Sequence, residues 1–334
     1  MYTFNVIISV APVVFFLLAL IFFDSYKLVR FRTVVLLLLI GIVVAAAAFE
    51  ANTFLIRIMA IDPEYFSLYG APIIEELFKM IYVIYLIGAR KTGFLVDAAI
   101  YGFAVGCGFA VFENIYYMSV LDDPSMEIGF IRGLGTGIMH GGATAGMAII
   151  TQNAAERHGQ LVWQGVLPGY ILAVIVHSVF NHFLLPPVMM TLLQLIALPI
   201  LLGVVFYRSE QSLRRWLDVG LDTDVELLNM IHSGHITQAR VGQYLQSLKE
   251  RFPGKILADM FCLIHIHLEL SLRAKGIMMM RSHGFEPYIE SEMIDQLDEL
   301  KFLETSVGTT GRIAIHPFLH MSNRDLWHVY FLRK

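Results

Sequence analysis

Residues 71–88, APIIEELFKMIYVIYLIG, form an apolar run that carries Glu75, Glu76 and Lys79 in its interior. A helix that crosses a bilayer needs about 20 mostly apolar residues. An ionisable side chain near its centre opposes insertion by about 2.5–3.5 kcal/mol. Three such groups persist only if they pair with one another or face a wet interior. The run therefore reads as one helix of a polytopic bundle with a polar centre, not as a lone anchor.

Outward from this run, similar stretches recur over about 5–23, 33–49, 68–88, 94–118, 128–150, 161–185 and 188–206. The whole chain, 334 residues, is 57% hydrophobic and 16% charged, whereas a soluble domain carries about a quarter charged residues. The apolar excess fades after residue 206. The expected fold is thus an all-α polytopic membrane protein with about seven transmembrane helices in residues 1–206, followed by a soluble, mainly helical C-terminal domain in 207–334. The first run lacks the basic flank of a signal peptide and is expected to remain as a helix. A net charge of -4 and the lack of a broad basic surface argue against a nucleic-acid partner. Cys107 and Cys262 make neither a disulfide framework nor a zinc quartet and read as small core residues.

Short cytoplasmic loops are enriched in Lys and Arg. Lys27, Arg30 and Arg32, then Arg90 and Lys91, then Arg208, Arg214 and Arg215 fall on one side if the seven runs alternate. Glu50, Asp62, Glu64, Asp122, Asp123 and Glu127 fall on the other, with Arg57 as the basic exception. The N-terminus is expected outside and the C-terminus in the cytoplasm. In the tail, 225–231, 236–252 and 256–280 show helical spacing, with breaks at Pro253-Gly254 and His283-Gly284 and a short extended piece at 312–315. His265 and His267 point to different faces of a helix and read as structural.

Ionisable and amide groups recur in the other runs: Glu113 in the fourth, His140 among glycines in the fifth, and His177 with Asn181 one turn later in the sixth. Arg132 and Asp97 lie near run ends and read as snorkelling side chains. Glu75 and Lys79 are four apart, and Glu76 is three from the same lysine, so one cation can balance one carboxylate. Counting about 1.5 Å per residue from the outer edge of each run places Glu75, Glu113, His177 and Asn181 in one layer of the outer membrane half, with His140 deeper.

Carboxylates and imidazoles in a desolvated layer supply a general base for water, and histidine and asparagine donors can stabilise an oxyanion. That combination suits peptide-bond hydrolysis. Neither G-x-S-x-G nor H-E-x-x-H occurs, and Cys107 has no histidine beside it, so a covalent serine or cysteine route is disfavoured. Metal-free glutamate catalysis is favoured, with no cofactor. Zinc stays open through His140, His177 and Glu76 or Glu113. The same buried groups could serve a proton- or ion-coupled transporter or receptor, although an odd number of runs without an internal repeat counts against that plan.

Glu75-Glu76-Leu77-Phe78-Lys79 resembles the E-E-x-x-K motif of the PrsW intramembrane proteases. Phe109 to Asn114 resembles their F-x-x-x-E-N, His177 to Asn181 their late H-x-x-x-N, and His140 falls where the family has a further histidine. The similarity covers most of residues 65–185. CAAX prenyl endopeptidases and bacteriocin-processing membrane proteases resemble the chain more distantly, since they carry Arg four residues after the second Glu and His where Glu113 stands. The resemblance implies cleavage of a single-span membrane protein, such as an anti-sigma factor, on its extracytoplasmic side, within a bacterial inner membrane. It says nothing of the tail, for which a cytosolic partner is expected. In this reading Glu76 or Glu75 activates water and Lys79 holds the other carboxylate ionised. His177 and Asn181 polarise the carbonyl, and Glu113 with His140 completes a proton relay.

Overall fold

The computed structural model describes residues 2–24, 29–121, 125–218, 221–283, 285, 291–316 and 319. Among them all regular structure is helical, with no strand. Lys27, Asp122 and Asp123, used above for orientation, and Gly284 of the expected break lie outside the described residues. The chain divides into two compact units, Met1–Ser209 and Glu210–Lys334.

In the first unit, α1 (Tyr2–Phe22) and α2 (Phe31–Met59) follow directly from the first two apolar runs. α3 (Pro63–Gly88) starts where its sequence prescribes. Asp62 Oδ1 accepts from the backbone N–H groups of Glu64 and Tyr65, and Pro63 takes the first helical position, where no N–H is needed. α4 (Leu95–Val120) is followed by α5 (Met126–Phe130), a π-helical turn (Ile131–Thr136) and α6 (Gly137–His158). α7 (Trp163–Asn181) and α8 (Pro187–Asp218) complete the order. Asp97 does not snorkel. It is fully buried, and its carboxyl oxygens accept from the N–H groups of Gly93 and Phe94 at 2.6 and 2.7 Å, which caps the positive end of α4.

α4 is apolar on every side and is buried on every side from Val96 to Val111, as a helix without a polar face must be. α1, α2 and α6 surround it and α3 touches it. Small residues set these approaches: a Cβ on Gly108 would overlap the Leu38 carbonyl of α2, and one on Gly106 the His140 carbonyl of α6. α7 is tied to the backbone of α3 by three side chains. Tyr170 donates to the Ile73 carbonyl at 2.9 Å, Ser178 to that of Leu68 at 2.7 Å, and Asn181 to that of Ser67 at 2.9 Å. The middle bond has a local cause. Pro72 has no N–H to give the carbonyl four residues earlier, so Leu68 is left without its helical donor.

Among the described residues, five helices are long and apolar enough to cross a membrane: Thr3–Phe22, Phe31–Met59, Leu95–Val120, Trp163–Asn181 and Pro187–Gln211. α3 and α6 fall short of that measure of apolarity, α3 because of its interior carboxylates and lysine, α6 because it is rich in glycine, alanine and threonine.

The second unit is built from α9 (Leu221–His232), a 3-10 turn (Ile236–Gln238), α10 (Arg240–Ser247), α11 (Gly254–Ser282) and α12 (Ser291–Ile315). Its core includes Met260, Leu263, Leu270, Met278, Leu297 and Leu300. The extended piece expected at 312–315 is helical: it lies in the second of the two helical stretches of α12, which are separated by Gly308, whose φ of +69° is open to glycine. Cys107 is buried as expected, whereas Cys262 is exposed on α11.

Candidate active site

Glu76 and Lys79 lie on the face of α3 that is buried against α6 and α7, and neither has any exposure. Removing a carboxylate and an ammonium from water is tolerable only when each finds partners. Lys79 Nζ is 2.7 Å from Glu76 Oε1 and 2.8 Å from His140 Nδ1, and rests over the Phe109 ring at 4.0 Å. Glu76 Oε1 also accepts from His177 Nδ1 at 2.9 Å. The two imidazoles meet edge to face, with ring centres 4.7 Å apart. Glu76 Oε2 is buried without a protein partner among the described residues.

The other two carboxylates face outward. Glu113 on α4 is held at both oxygens: Oε1 accepts from Arg132 Nη2 at 3.0 Å, and Oε2 lies 2.6 Å from His140 Nε2. Glu75 Oε1 accepts from Asn52 Nδ2 of α2 at 3.0 Å, and Glu75 Oε2 stands 3.8 Å from His177 Nε2. That last gap is too long for a direct hydrogen bond, so the carboxylate oxygen and the imidazole nitrogen are both left able to bind one water at their side. Glu75 and Glu113 both line a cleft of about 380 Å³ between α2, α3 and α4. Phe49, Phe66, Phe112, Tyr116 and Tyr117 form its apolar walls.

Six of the seven residues singled out from the sequence thus converge: Glu75, Glu76, Lys79, Glu113, His140 and His177. Asn181 does not join them, because its amide is engaged with Ser67. His140, placed too deep by counting, sits at the centre. The count assumed a common outer edge and a straight α-helical rise, whereas the segment before His140 is a short helix followed by a π turn. Arg132 was read as a snorkelling side chain. It binds Glu113 and stacks on Tyr117 at 4.1 Å. Asn52 was not singled out, and an amide in an apolar helix, 23 residues before its partner, carries no spacing signal that could have found it.

Protons follow from the partners. A carboxylate accepts, so His177 carries its hydrogen on Nδ1 and turns a lone pair on Nε2 toward Glu75. An ammonium only donates, so His140 accepts from Lys79 at Nδ1 and carries its hydrogen on Nε2, where it donates to Glu113. This bears on zinc. Glu75, His140 and His177 each bring one donor atom within 4.8 Å of the others. His177 offers a free nitrogen backed by a carboxylate, as a zinc ligand should, but both nitrogens of His140 are committed. As arranged, His140 has no nitrogen free for a zinc ion. Glu113 is bound at both oxygens, to Arg132 and His140, whereas Glu76 is held by Lys79 and His177 at Oε1 alone.

The arrangement can polarise a water beside Glu75 and His177, hold Glu76 ionised, and exchange a proton along Glu113 and His140. No curated protein and no solved structure matched the chain. Residues 30–207, more than half of the chain, match the family described as PrsW family intramembrane metalloprotease.

Proposed function

Since the chain belongs to the PrsW family of intramembrane proteases, we propose that it cleaves a peptide bond of a single-span membrane protein with water activated by Glu75 and His177. The observation that carries this reading is the 3.8 Å gap between Glu75 Oε2 and His177 Nε2 at the cleft. There the cleft-lining carboxylate of Glu75 meets the lone pair of His177, which is buried behind it. Glu75 takes the proton of the attacking water and later returns it to the leaving amine. Glu76 accepts from His177 Nδ1 and so keeps Nε2 free, while Lys79 keeps Glu76 ionised. The Asn52 amide and the Arg132 guanidinium are donors beside the two cleft-facing carboxylates, and they offer the developing oxyanion hydrogen bonds and, from Arg132, positive charge. This assignment makes Glu75 the base and Glu76 its support, and the mechanism is of the glutamic type.

The membrane arrangement belongs to the same proposal. α3 and α6 cross the bilayer with the five apolar helices, giving seven spans, and their polar groups are tolerable because they satisfy one another. With the arginine-bearing loops cytoplasmic, the cleft opens toward the extracytoplasmic side, where a substrate such as an anti-sigma factor would be cut. The second unit then lies in the cytosol, available to a partner there.

The test is cleavage of candidate single-span substrates by the protein purified in detergent. Glu75→Gln and His177→Ala are expected to lower kcat by about 10²- to 10⁴-fold, the range for a lost general base, with the helical content unchanged. Chelator treatment is expected to leave activity in place. Full activity in both variants, or loss of activity with the chelator and its return with zinc, would sink the proposed mechanism.

A further inference from the structure

The second unit gathers another set of metal-ligating side chains, far in sequence from the six residues above. His265 and Glu269 are four apart on α11 and share a face, and His232 ends α9 beside them. His265 Nε2 lies 3.4 Å from His232 Nε2 and 3.4 Å from Glu269 Oε1, and His232 Nε2 lies 3.8 Å from the same oxygen. These are poor hydrogen bonds, since a good N–H···O bond is about 2.9 Å. They match something else. Ligand atoms about 2.0–2.1 Å from a tetrahedral zinc ion stand about 3.3 Å from one another.

Three further features support a built site. Glu269 Oε2 accepts from Gln296 Nε2 of α12 at 2.6 Å, which fixes the carboxylate with Oε1 turned to the histidines. Asp224 of α9 binds Ser271 and Lys275 of α11 at 3.4 and 3.3 Å, holding the two helices together two turns from the cluster. His232 is 56% exposed and lines an open cleft with Glu226 and Asn229, so an ion has a way in.

We propose that His232, His265 and Glu269 form a binding site for a divalent ion of the zinc class that ties α9 to α11. Two imidazoles and one carboxylate select zinc-like first-row ions over magnesium, which prefers oxygen donors. A fourth position is open to water or to a group from a partner. Sequence spacing alone hid the site, because His265 was weighed against His267 and its real companions are Glu269 and a residue 33 positions away.

The full chain in detergent, stripped with a chelator and dialysed, would be titrated with Zn²⁺ and with Co²⁺ as a spectroscopic probe. One equivalent should bind, with the visible bands of four-coordinate Co²⁺ and without competition from excess Mg²⁺. His232→Ala and His265→Ala should abolish stoichiometric binding, Gln296→Ala should weaken it about 10- to 100-fold, and His177→Ala should leave it unchanged. Hydrogen exchange at α9 should slow on adding Zn²⁺ in the parent protein and not in His232→Ala, a change at an exposed position that the fold tolerates. Binding unaffected by His232→Ala and His265→Ala, binding lost in His177→Ala, or no stoichiometric binding at all would each overturn the proposal.

Discussion

Lys79 is the residue on which the buried network depends. It is fully enclosed, and its three hydrogens face Glu76, His140 and the ring of Phe109. Replacing it with methionine keeps the volume but leaves the Glu76 carboxylate buried without its cation. Breaking one partner of such a pair costs about 3–5 kcal/mol, so Lys79→Met is expected to lower the unfolding midpoint in detergent and to abolish cleavage. Glu76→Gln combined with Lys79→Met should recover much of the stability and none of the activity. An equal loss of stability in the single and double variants would show that the ion pair is not what holds α3. The carboxylates, the lysine and both histidines were legible in the sequence, because ionisable groups in apolar runs are costly enough to need a reason. Arg132 and Asn52 were not, since an arginine near a run end and an amide within one each have a bland explanation.

At the scale of elements, one of the three bonds that tie α7 to α3 has its cause in a proline. Ser178→Ala should leave the half-buried Leu68 carbonyl without a protein donor and cost about 0.5–1.5 kcal/mol, the usual net worth of one hydrogen bond. Pro72→Ala restores an N–H to α3, so in that background Ser178→Ala should cost almost nothing. A thermodynamic cycle of the four proteins reads the difference directly, and equal costs in both backgrounds would refute the link. The helices themselves were readable from hydropathy and helical spacing. The expected strand-like piece at 312–315 failed because alternation over four residues is too short to tell a strand from the end of the helix that restarts after Gly308. The depth of His140 failed because a π turn is invisible to hydropathy.

For the molecule as a whole, the two units carry their polar groups for different ends, and pH separates them. Burial in the second unit pushes the His267 imidazole down from 6.5 to about 4. The folded unit therefore holds His267 neutral while the unfolded chain takes up the proton first. The contribution is fully present above pH about 6.5 and is lost as pH falls toward 4, a change of about 3 kcal/mol. Opening free energies of α11 amides, measured by hydrogen exchange on metal-stripped protein and corrected for intrinsic rates, should fall across that window. In His267→Leu they should be flat, and a parallel decline there would assign the effect to other groups.

The π turn before α6 sets the phase of everything that follows it. Arg132 and His140 are eight positions apart and grip the two oxygens of one carboxylate. In an uninterrupted α-helix, positions eight apart differ by about 80° in direction, whereas positions seven apart differ by only about 20°. One extra residue taken up in a wide turn brings the eighth position to where the seventh would be. The segment thus counts residues: deleting one of Gly133 to Thr136 would leave Arg132 and His140 seven apart on an ordinary α-helix and still on one face, whereas inserting one more would swing His140 away from Glu113. The wide turn is therefore what lets a stretch of this length present both side chains to one carboxylate.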